Sequence, residues 1–189
     1  MNNGANNGDT GSAAKSWVFY SLISLAGVLV ILASLAIGIA LTLPQDYSFT
    51  RSIVISRPPE LVWGVIRDIA GQRGWRQNLR TIERLPDRNG HEAWRLRDNE
   101  GQTVVLEVLE SVPPKRLEFE YEGRPGIGVI TWTIEIRPLA NDSQVMLVQR
   151  STFYPRTYRL LARLVYGTSF ADDFLKSLAR KFGDPDVVQ

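Results

Sequence analysis

The chain of 189 residues contains no cysteine and only one histidine, His91. Without cysteine, the protein can form no disulfide, no thiolate zinc site and no covalent intermediate on a thiol. A single histidine excludes a metal centre with several histidine ligands and disfavours a Ser-His-Asp triad. We therefore expect no resident metal, no other cofactor and no covalent catalysis.

Charged residues are missing from positions 16 to 45, and only Asp9 and Lys15 carry charge before that gap. The remaining charges belong to the second part of the chain, where basic and acidic residues nearly balance and the net charge is +2. The basic residues are spread along the sequence and form no concentrated patch. Such a balance does not favour nucleic acid as a partner.

The uncharged stretch from Trp17 to Leu43 is long and aliphatic. As a helix rising about 1.5 Å per residue it reaches ~40 Å, more than the roughly 30 Å of a bilayer core. A cleaved signal peptide has a shorter apolar region, about 7 to 15 residues, after a basic start. We expect a polar, disordered tail over 1–16 and one transmembrane helix over 17–43. Basic residues flank both ends, so the sequence leaves the side of the soluble domain open.

Residues 44–189 read as one α+β domain, because short runs of alternating polarity follow one another between two helical patterns. The first helix opens at Pro58-Pro59 and is expected to end at Gly71; the second covers Pro155 to Phe182 and is long. Turn residues separate the runs. The expected strands are Tyr47 to Ser56, Leu79 to Leu85, His91 to Arg97, Thr103 to Val112, Arg116 to Glu122, Ile127 to Arg137 and Val145 to Tyr154.

This order of elements predicts a curved antiparallel sheet wrapped around a long C-terminal helix. One helix covers a concave sheet face incompletely, which leaves an apolar pocket between them. Pockets of this kind bind apolar small molecules.

A set of residues in the soluble part resembles the START-like helix-grip superfamily, which includes the polyketide cyclase/dehydrase and lipid-transport group. The resemblance covers about residues 47–183. It implies the helix-grip fold and a cavity for a hydrophobic molecule, and it includes no catalytic signature. Together with the apolar segment, it is similar to membrane-tethered bacterial members, so we expect a single-pass protein of a bacterial cell membrane. The residues that carry the resemblance are Ile53-Val54-Ile55, Pro59-Glu60, Val62-Trp63, Ile66, Asp68, Trp75, Glu83, Trp94, Pro113-Pro114, Leu117, Gly128, Trp132, Phe174-Leu175 and Leu178.

Six residues are candidates for the pocket lining, and none is assigned a catalytic role. The tryptophans offer large, rigid apolar surfaces, although each also suits an ordinary core position. The two glutamates could form an acid/base pair if both face the cavity, and the arginine could hold a ligand carboxylate if it points inward. The three charged residues are explained equally simply if they lie on solvent-exposed faces of their strands. The candidates are Trp75, Trp94, Trp132, Glu92, Glu107 and Arg150.

Three functions follow from these observations. The favoured one is a membrane-anchored domain that binds a hydrophobic small molecule or lipid. A cyclase-, aromatase- or hydrolase-like enzyme needs at least two ionisable side chains that converge in the cavity. An interaction module that supports a membrane complex needs no cavity.

Overall fold

The computed structural model describes residues 10–42, 44, 46–122, 128–153, 169–185 and 187–188. The chain divides into two compact units, Met1–Leu43 and Pro44–Gln189. The predicted start of the C-terminal helix, 155–168, lies outside the described residues.

The first unit contains one helix, α1 (Thr10–Thr42), which starts before the predicted apolar boundary at Trp17. Its section Trp17–Ile39 has 23 residues, a mean hydropathy of 2.7 and no buried part. By length and composition this section can cross a membrane, and a signal sequence or the core helix of a soluble protein meets the same criterion. Uncharged aliphatic residues without proline explain why the segment is helical.

The second unit is built on a seven-stranded antiparallel sheet with the order β1-β7-β6-β5-β4-β3-β2. The expected curved antiparallel α+β architecture is therefore confirmed. Every predicted strand is present; β4 and β5 have the predicted bounds, and the ends of the other strands differ from the predicted ones by at most three residues. The strands are β1 (Asp46–Ile55), β2 (Leu79–Arg84), β3 (Glu92–Asp98), β4 (Thr103–Val112), β5 (Arg116–Glu122), β6 (Gly128–Leu139) and β7 (Asp142–Phe153).

The described residues of the sheet unit contain two α-helices, α2 (Pro59–Arg67) and α3 (Ser169–Phe182). Helix α3 covers 14 residues, and the first half of the long helix that the sequence predicts lies outside the described residues. Helix α2 ends at Arg67, before the predicted Gly71, because a short 3-10 turn (Ala70–Gly74) follows it.

Asp68 stabilises the turn that follows α2. Its Oδ1 accepts a hydrogen bond from the Gly71 amide at 3.0 Å. A Cβ atom at position 71 would lie only 2.1 Å from Asp68 Oδ2, so a larger residue there would displace the Asp68 carboxylate.

The strand register separates the sheet into two faces, because successive side chains of a strand point to opposite sides. We call the face that carries the core the inner face and the opposite one the outer face. Helix α2 contributes Val62 and Ile66 to the core, and α3 contributes Phe174, Leu175 and Leu178. The inner face supplies buried residues from six strands: Ile53, Ile55, Leu96, Leu106, Val108, Leu117, Phe119, Trp132, Ile134, Ile136, Val145 and Leu147.

Candidate functional site

Four aromatic rings form a continuous row between the inner face and α3. Trp75 contacts Phe174 with 5.5 Å between ring centroids, Phe174 contacts Trp132 at 5.4 Å, and Trp132 contacts Tyr121 at 4.9 Å. All three contacts have the edge-to-face geometry that aromatic quadrupoles favour. Phe174 and Trp132 are buried, whereas the end members Trp75 and Tyr121 are only half-buried. The row therefore joins the packed core to apolar surface that is still accessible.

A short chain of polar side chains lies beside this row. Trp132 Nε1 donates a hydrogen bond to Gln149 Oε1 at 2.7 Å, and Gln149 Nε2 donates to Ser151 Oγ at 3.1 Å. Trp132 and Gln149 are directly paired across β6 and β7, and Gln149 and Ser151 both lie on the inner face. All three side chains are buried, so these bonds satisfy groups that have left water.

Arg76 is the unusual residue of the interior, because its side chain is charged and only 5% exposed. Its Nη1 donates to Gln72 Oε1 at 3.0 Å, and Gln72 Nε2 in turn donates to the carbonyl oxygen of Ile66 at 2.9 Å. The guanidinium carbon lies 5.3 Å from the centroid of the Phe174 ring, in cation–π range. Arg76 Nε is buried and has no hydrogen-bond partner among the residues that the structure describes.

Arg76 and Tyr121 influence each other's protonation. Burial lowers the pKa of Arg76, and the nearby Tyr121 hydroxyl and the more distant Asp173 oppose that effect. Burial also raises the pKa of Tyr121, and Arg76 only partly offsets this. The tyrosine is therefore protonated at neutral pH, and its hydroxyl is available as a hydrogen-bond donor.

A second group of inner-face side chains lies at the junction of α2, β2 and β3. Arg67 forms an ion pair with Glu92 through two hydrogen bonds, and Trp94 Nε1 donates to Glu92 Oε1 at 2.7 Å. The Arg84 guanidinium lies 5.6 Å from the centroid of the Trp94 ring. Partial burial raises the pKa of Glu92, but the hydrogen bonds from Arg67 and Trp94 and the charges of Arg67 and Arg84 outweigh it and lower the pKa. Glu92 is thus held as a carboxylate and is poorly suited to act as a general acid.

Glu107 lies on the outer face, opposite to Glu92. The register pairs Glu92 with Val108 and Ala93 with Glu107, which puts the two carboxylates on different sides of the sheet. Arg88 bridges Glu107 and Glu122, with distances of 3.2 and 3.1 Å from its Nη1. Glu92 and Glu107 therefore do not form an acid/base pair.

Arg150 is exposed and lies on the outer face, since its strand neighbour Gln149 points to the inner one. The six sequence candidates thus separate into three places. Trp75 and Trp132 belong to the aromatic row, Trp94 and Glu92 belong to the junction near α2, and Glu107 and Arg150 lie on the outer face.

Sequence reasoning missed Arg76, Tyr121 and Gln149. The alternation of β5, where Tyr121 follows Leu117 and Phe119, already contained the signal for the tyrosine. The inward orientation of Gln149 could likewise be predicted, because it follows Val145 and Leu147 at every second position of the strand. Arg76 follows a 3-10 turn, where no strand or helix period indicates which way a side chain points.

The arrangement brings the aromatic row together with the polar side chains of Arg76 and Tyr121, and its half-buried ends, Trp75 and Tyr121, offer apolar surface that a ligand can contact. In the part of the chain that the structure describes, no cluster of three or more histidine or acidic side chains is arranged to hold a metal ion.

Solved structures with the same fold include two that are named as aromatase/cyclase or ARO/CYC proteins. The ZhuI aromatase/cyclase of Streptomyces sp. R1128 is 17% identical, with a TM-score of 0.57, over 73% of this chain and 97% of that one. The di-domain ARO/CYC StfQ of the steffimycin pathway is 10% identical, with a TM-score of 0.60, over 73% and 51% of the two chains. An uncharacterised protein from Bacillus thuringiensis is 20% identical, with a TM-score of 0.57, over 73% and 100%. At these identities the similarity shows the helix-grip fold.

No curated protein matches the chain in sequence. The family model for polyketide cyclase / dehydrase and lipid transport matches residues 46–183, nearly the whole of the sheet unit. This confirms the resemblance that the order of prolines, tryptophans and strand patterns indicates. The chain belongs to the polyketide cyclase / dehydrase and lipid transport family.

Proposed function

We propose that this protein is a membrane-anchored helix-grip domain that binds a hydrophobic small molecule or lipid between the inner face and α3. The observation that carries the proposal is the aromatic row, in which Trp75 and Tyr121 remain half-buried at the two ends of a packed core. Covering these rings with an apolar ligand removes further apolar surface from water, which is worth roughly 25 cal/mol per Å².

The anchor part of the proposal depends on α1. Its apolar side chains between Trp17 and Leu41 are exposed in the structure. A helix with so much exposed apolar surface is not expected to remain free in water, whereas a bilayer covers it. A domain held at the membrane would have direct access to molecules that partition into the bilayer.

A cyclase- or aromatase-like activity is the second candidate, because two ionisable side chains, Arg76 and Tyr121, converge beside the aromatic row. Two proteins of similar fold are named as aromatase/cyclases. Binding is favoured over this activity because Glu92 is engaged by Arg67 and Trp94, and Glu107 lies on the outer face.

A titration with an uncharged apolar fluorophore tests the binding proposal. N-phenyl-1-naphthylamine is added to the full chain in phosphatidylcholine nanodiscs, with empty nanodiscs as the control. The expected result is a saturable component, one probe per chain, above the linear partitioning into empty discs. Linear partitioning alone, identical with and without the protein, would rule out the proposed cavity.

Introduced cysteines test the anchor, since the chain has no cysteine of its own. Asn3→Cys and Arg137→Cys are treated with a membrane-impermeant maleimide in intact cells and after permeabilisation. A single-pass anchor predicts that only one of the two positions reacts in intact cells and that both react afterwards. Reaction of both positions in intact cells, or release of the domain without its first helix, would contradict the anchor.

A further inference from the structure

Arg76 is a buried cation without a matching anion in the described structure. Its side chain is 5% exposed, and no described carboxylate lies within the 4 Å of an ion pair; Asp173 acts only from a longer distance. Burying an unpaired charge is costly, which is why buried charges are normally paired. The interior therefore contains a charge that an anionic partner would neutralise.

The free part of the guanidinium has a defined geometry. Nη1 donates to Gln72, whereas the buried Nε has no acceptor in the described part of the chain. Nε lies on the side-on edge of the guanidinium, the edge whose N–H groups match the oxygens of a carboxylate. The Tyr121 hydroxyl oxygen accepts a hydrogen bond from the same guanidinium, and its own O–H remains available as a further donor.

An aromatic ring lies against the guanidinium. The Phe174 ring lies 5.3 Å from the guanidinium carbon and contacts both Trp75 and Trp132. A ligand that reaches Arg76 with an anionic group must therefore place an apolar body against these rings. One guanidinium compensates one negative charge, which suits a carboxylate better than a phosphate monoester with close to two charges.

We propose that Arg76, through its side-on edge, and Tyr121, through its hydroxyl, bind the carboxylate of an apolar monoanion of the fatty-acid type. The apolar part of this ligand contacts Trp75 and Tyr121 at the accessible ends of the aromatic row. The proposal deepens the binding function above and rests on it, because it names the polar end of the ligand. Gln72 is a positioning residue. Its Oε1 accepts a hydrogen bond from Arg76 Nη1, and its Nε2 donates to the backbone carbonyl oxygen of Ile66.

A competition assay separates the carboxylate site from the cavity. The uncharged probe is bound to the full chain in nanodiscs and displaced with decanoate or with 1-decanol, which share the same chain length. A charge-assisted bidentate contact predicts that decanoate, corrected for partitioning into empty discs, competes at least about tenfold better than decanol, which corresponds to about 1.4 kcal/mol. Equal competition by the two molecules would overturn the carboxylate site while leaving the cavity intact.

Two variants test whether the preference for decanoate over decanol depends on Arg76 and Tyr121. Arg76→Met is expected to bind the uncharged probe and to lose the preference for decanoate, whereas the exposed control Arg150→Met keeps it. Tyr121→Phe removes one hydroxyl, retains the ring and is expected to reduce the preference about threefold or more. A preference that survives in both Arg76→Met and Tyr121→Phe would overturn the assignment.

The comparison of decanoate with decanol on the unmodified protein requires no variant to fold, so a misfolded Arg76→Met still leaves a decisive result. If the unmodified protein fails to bind the uncharged probe at all, the binding function itself fails. If it binds the probe but does not distinguish decanoate from decanol, only the carboxylate site fails.

Discussion

Trp132 and Gln149 face each other across β6 and β7, and the indole Nε1 donates to the amide Oε1 over 2.7 Å. Because both side chains are buried, the bond satisfies an N–H group that has no access to water. The same amide donates to Ser151 Oγ, so Gln149 satisfies two buried partners.

We predict that Gln149→Leu destabilises the domain by about 1–3 kcal/mol, because it leaves the Trp132 N–H and the Ser151 hydroxyl without this partner. The free energy of unfolding is measured by chemical denaturation of the full chain in detergent micelles. The neighbouring Arg150→Gln, on the outer face, is the control and should change stability by no more than about 0.5 kcal/mol. A Gln149→Leu variant as stable as that control would contradict the role of the hydrogen bond.

Glu92 is expected to stabilise the fold only when it is ionised. Its pKa lies below the ordinary value of 4.5, so the folded state binds the proton less tightly than the unfolded chain. The stabilisation is complete above about pH 4.5 and is lost as the pH falls through the lowered pKa. Glu92→Gln should therefore be less stable than the unmodified protein at neutral pH, and the difference should shrink on acidification.

The control for Glu92 is Glu83→Gln, which removes an exposed ion-pair partner of Arg95. Exposed pairs contribute about 0–1 kcal/mol, so we expect a smaller loss at neutral pH. A Glu92→Gln effect that does not depend on pH would contradict the lowered pKa.

Glu120 is predicted to behave in the opposite way. Partial burial and the neighbouring charges of Glu107, Glu122 and Glu118 raise its pKa. The folded state then binds the proton more tightly than the unfolded chain, so ionised Glu120 opposes folding above the ordinary value of 4.5. Glu120→Gln should be more stable than the unmodified protein at neutral pH, and the gain should disappear in acid. Denaturation curves at several pH values check this, and a variant that is destabilised at neutral pH would refute it.

Substitutions in the aromatic row and at Trp94 should have different effects on the binding of an apolar probe. Trp75→Leu removes one accessible end of the aromatic row and is expected to weaken binding of N-phenyl-1-naphthylamine by several-fold, up to about tenfold. Trp94→Leu is the matched control, because Trp94 is half-buried at the other group beside Glu92 and Arg84. An equal loss of affinity in both variants would mean that the probe does not bind preferentially at the aromatic row.

The part of the fold that can be predicted from the sequence depends on the alternation of apolar and polar residues along the strands. The alternation of Leu117, Phe119 and Tyr121 with glutamates is sufficient to predict β5 and its inner face. The inward position of Trp132 and the outward position of Glu107 follow from the same period-two rule once the register is known. The ion pair of Glu92 with Arg67 depends on how α2 packs on the sheet, which no local pattern contains.

Arg76 shows the limit of sequence reasoning most clearly. The residue lies between Arg73 and Arg80, and all three look like solvated charges in the sequence. Arg76 is buried with its guanidinium against the Phe174 ring, whereas Arg73 and Arg80 are exposed. Long-range packing of this kind has no periodic signature.

Photolabelling tests the central claim most directly, because it reports where an apolar molecule lies on the protein. The full chain in nanodiscs is irradiated with a diazirine-bearing alkane, and the adducts are mapped by peptide mass spectrometry with an excess of unlabelled alkane as competitor. The account predicts competable adducts near Trp75, Tyr121 and Phe174, in addition to labelling of Trp17–Ile39 by alkane dissolved in the bilayer. Adducts confined to Trp17–Ile39, or found equally around Glu107 and Arg150 on the outer face, would contradict it.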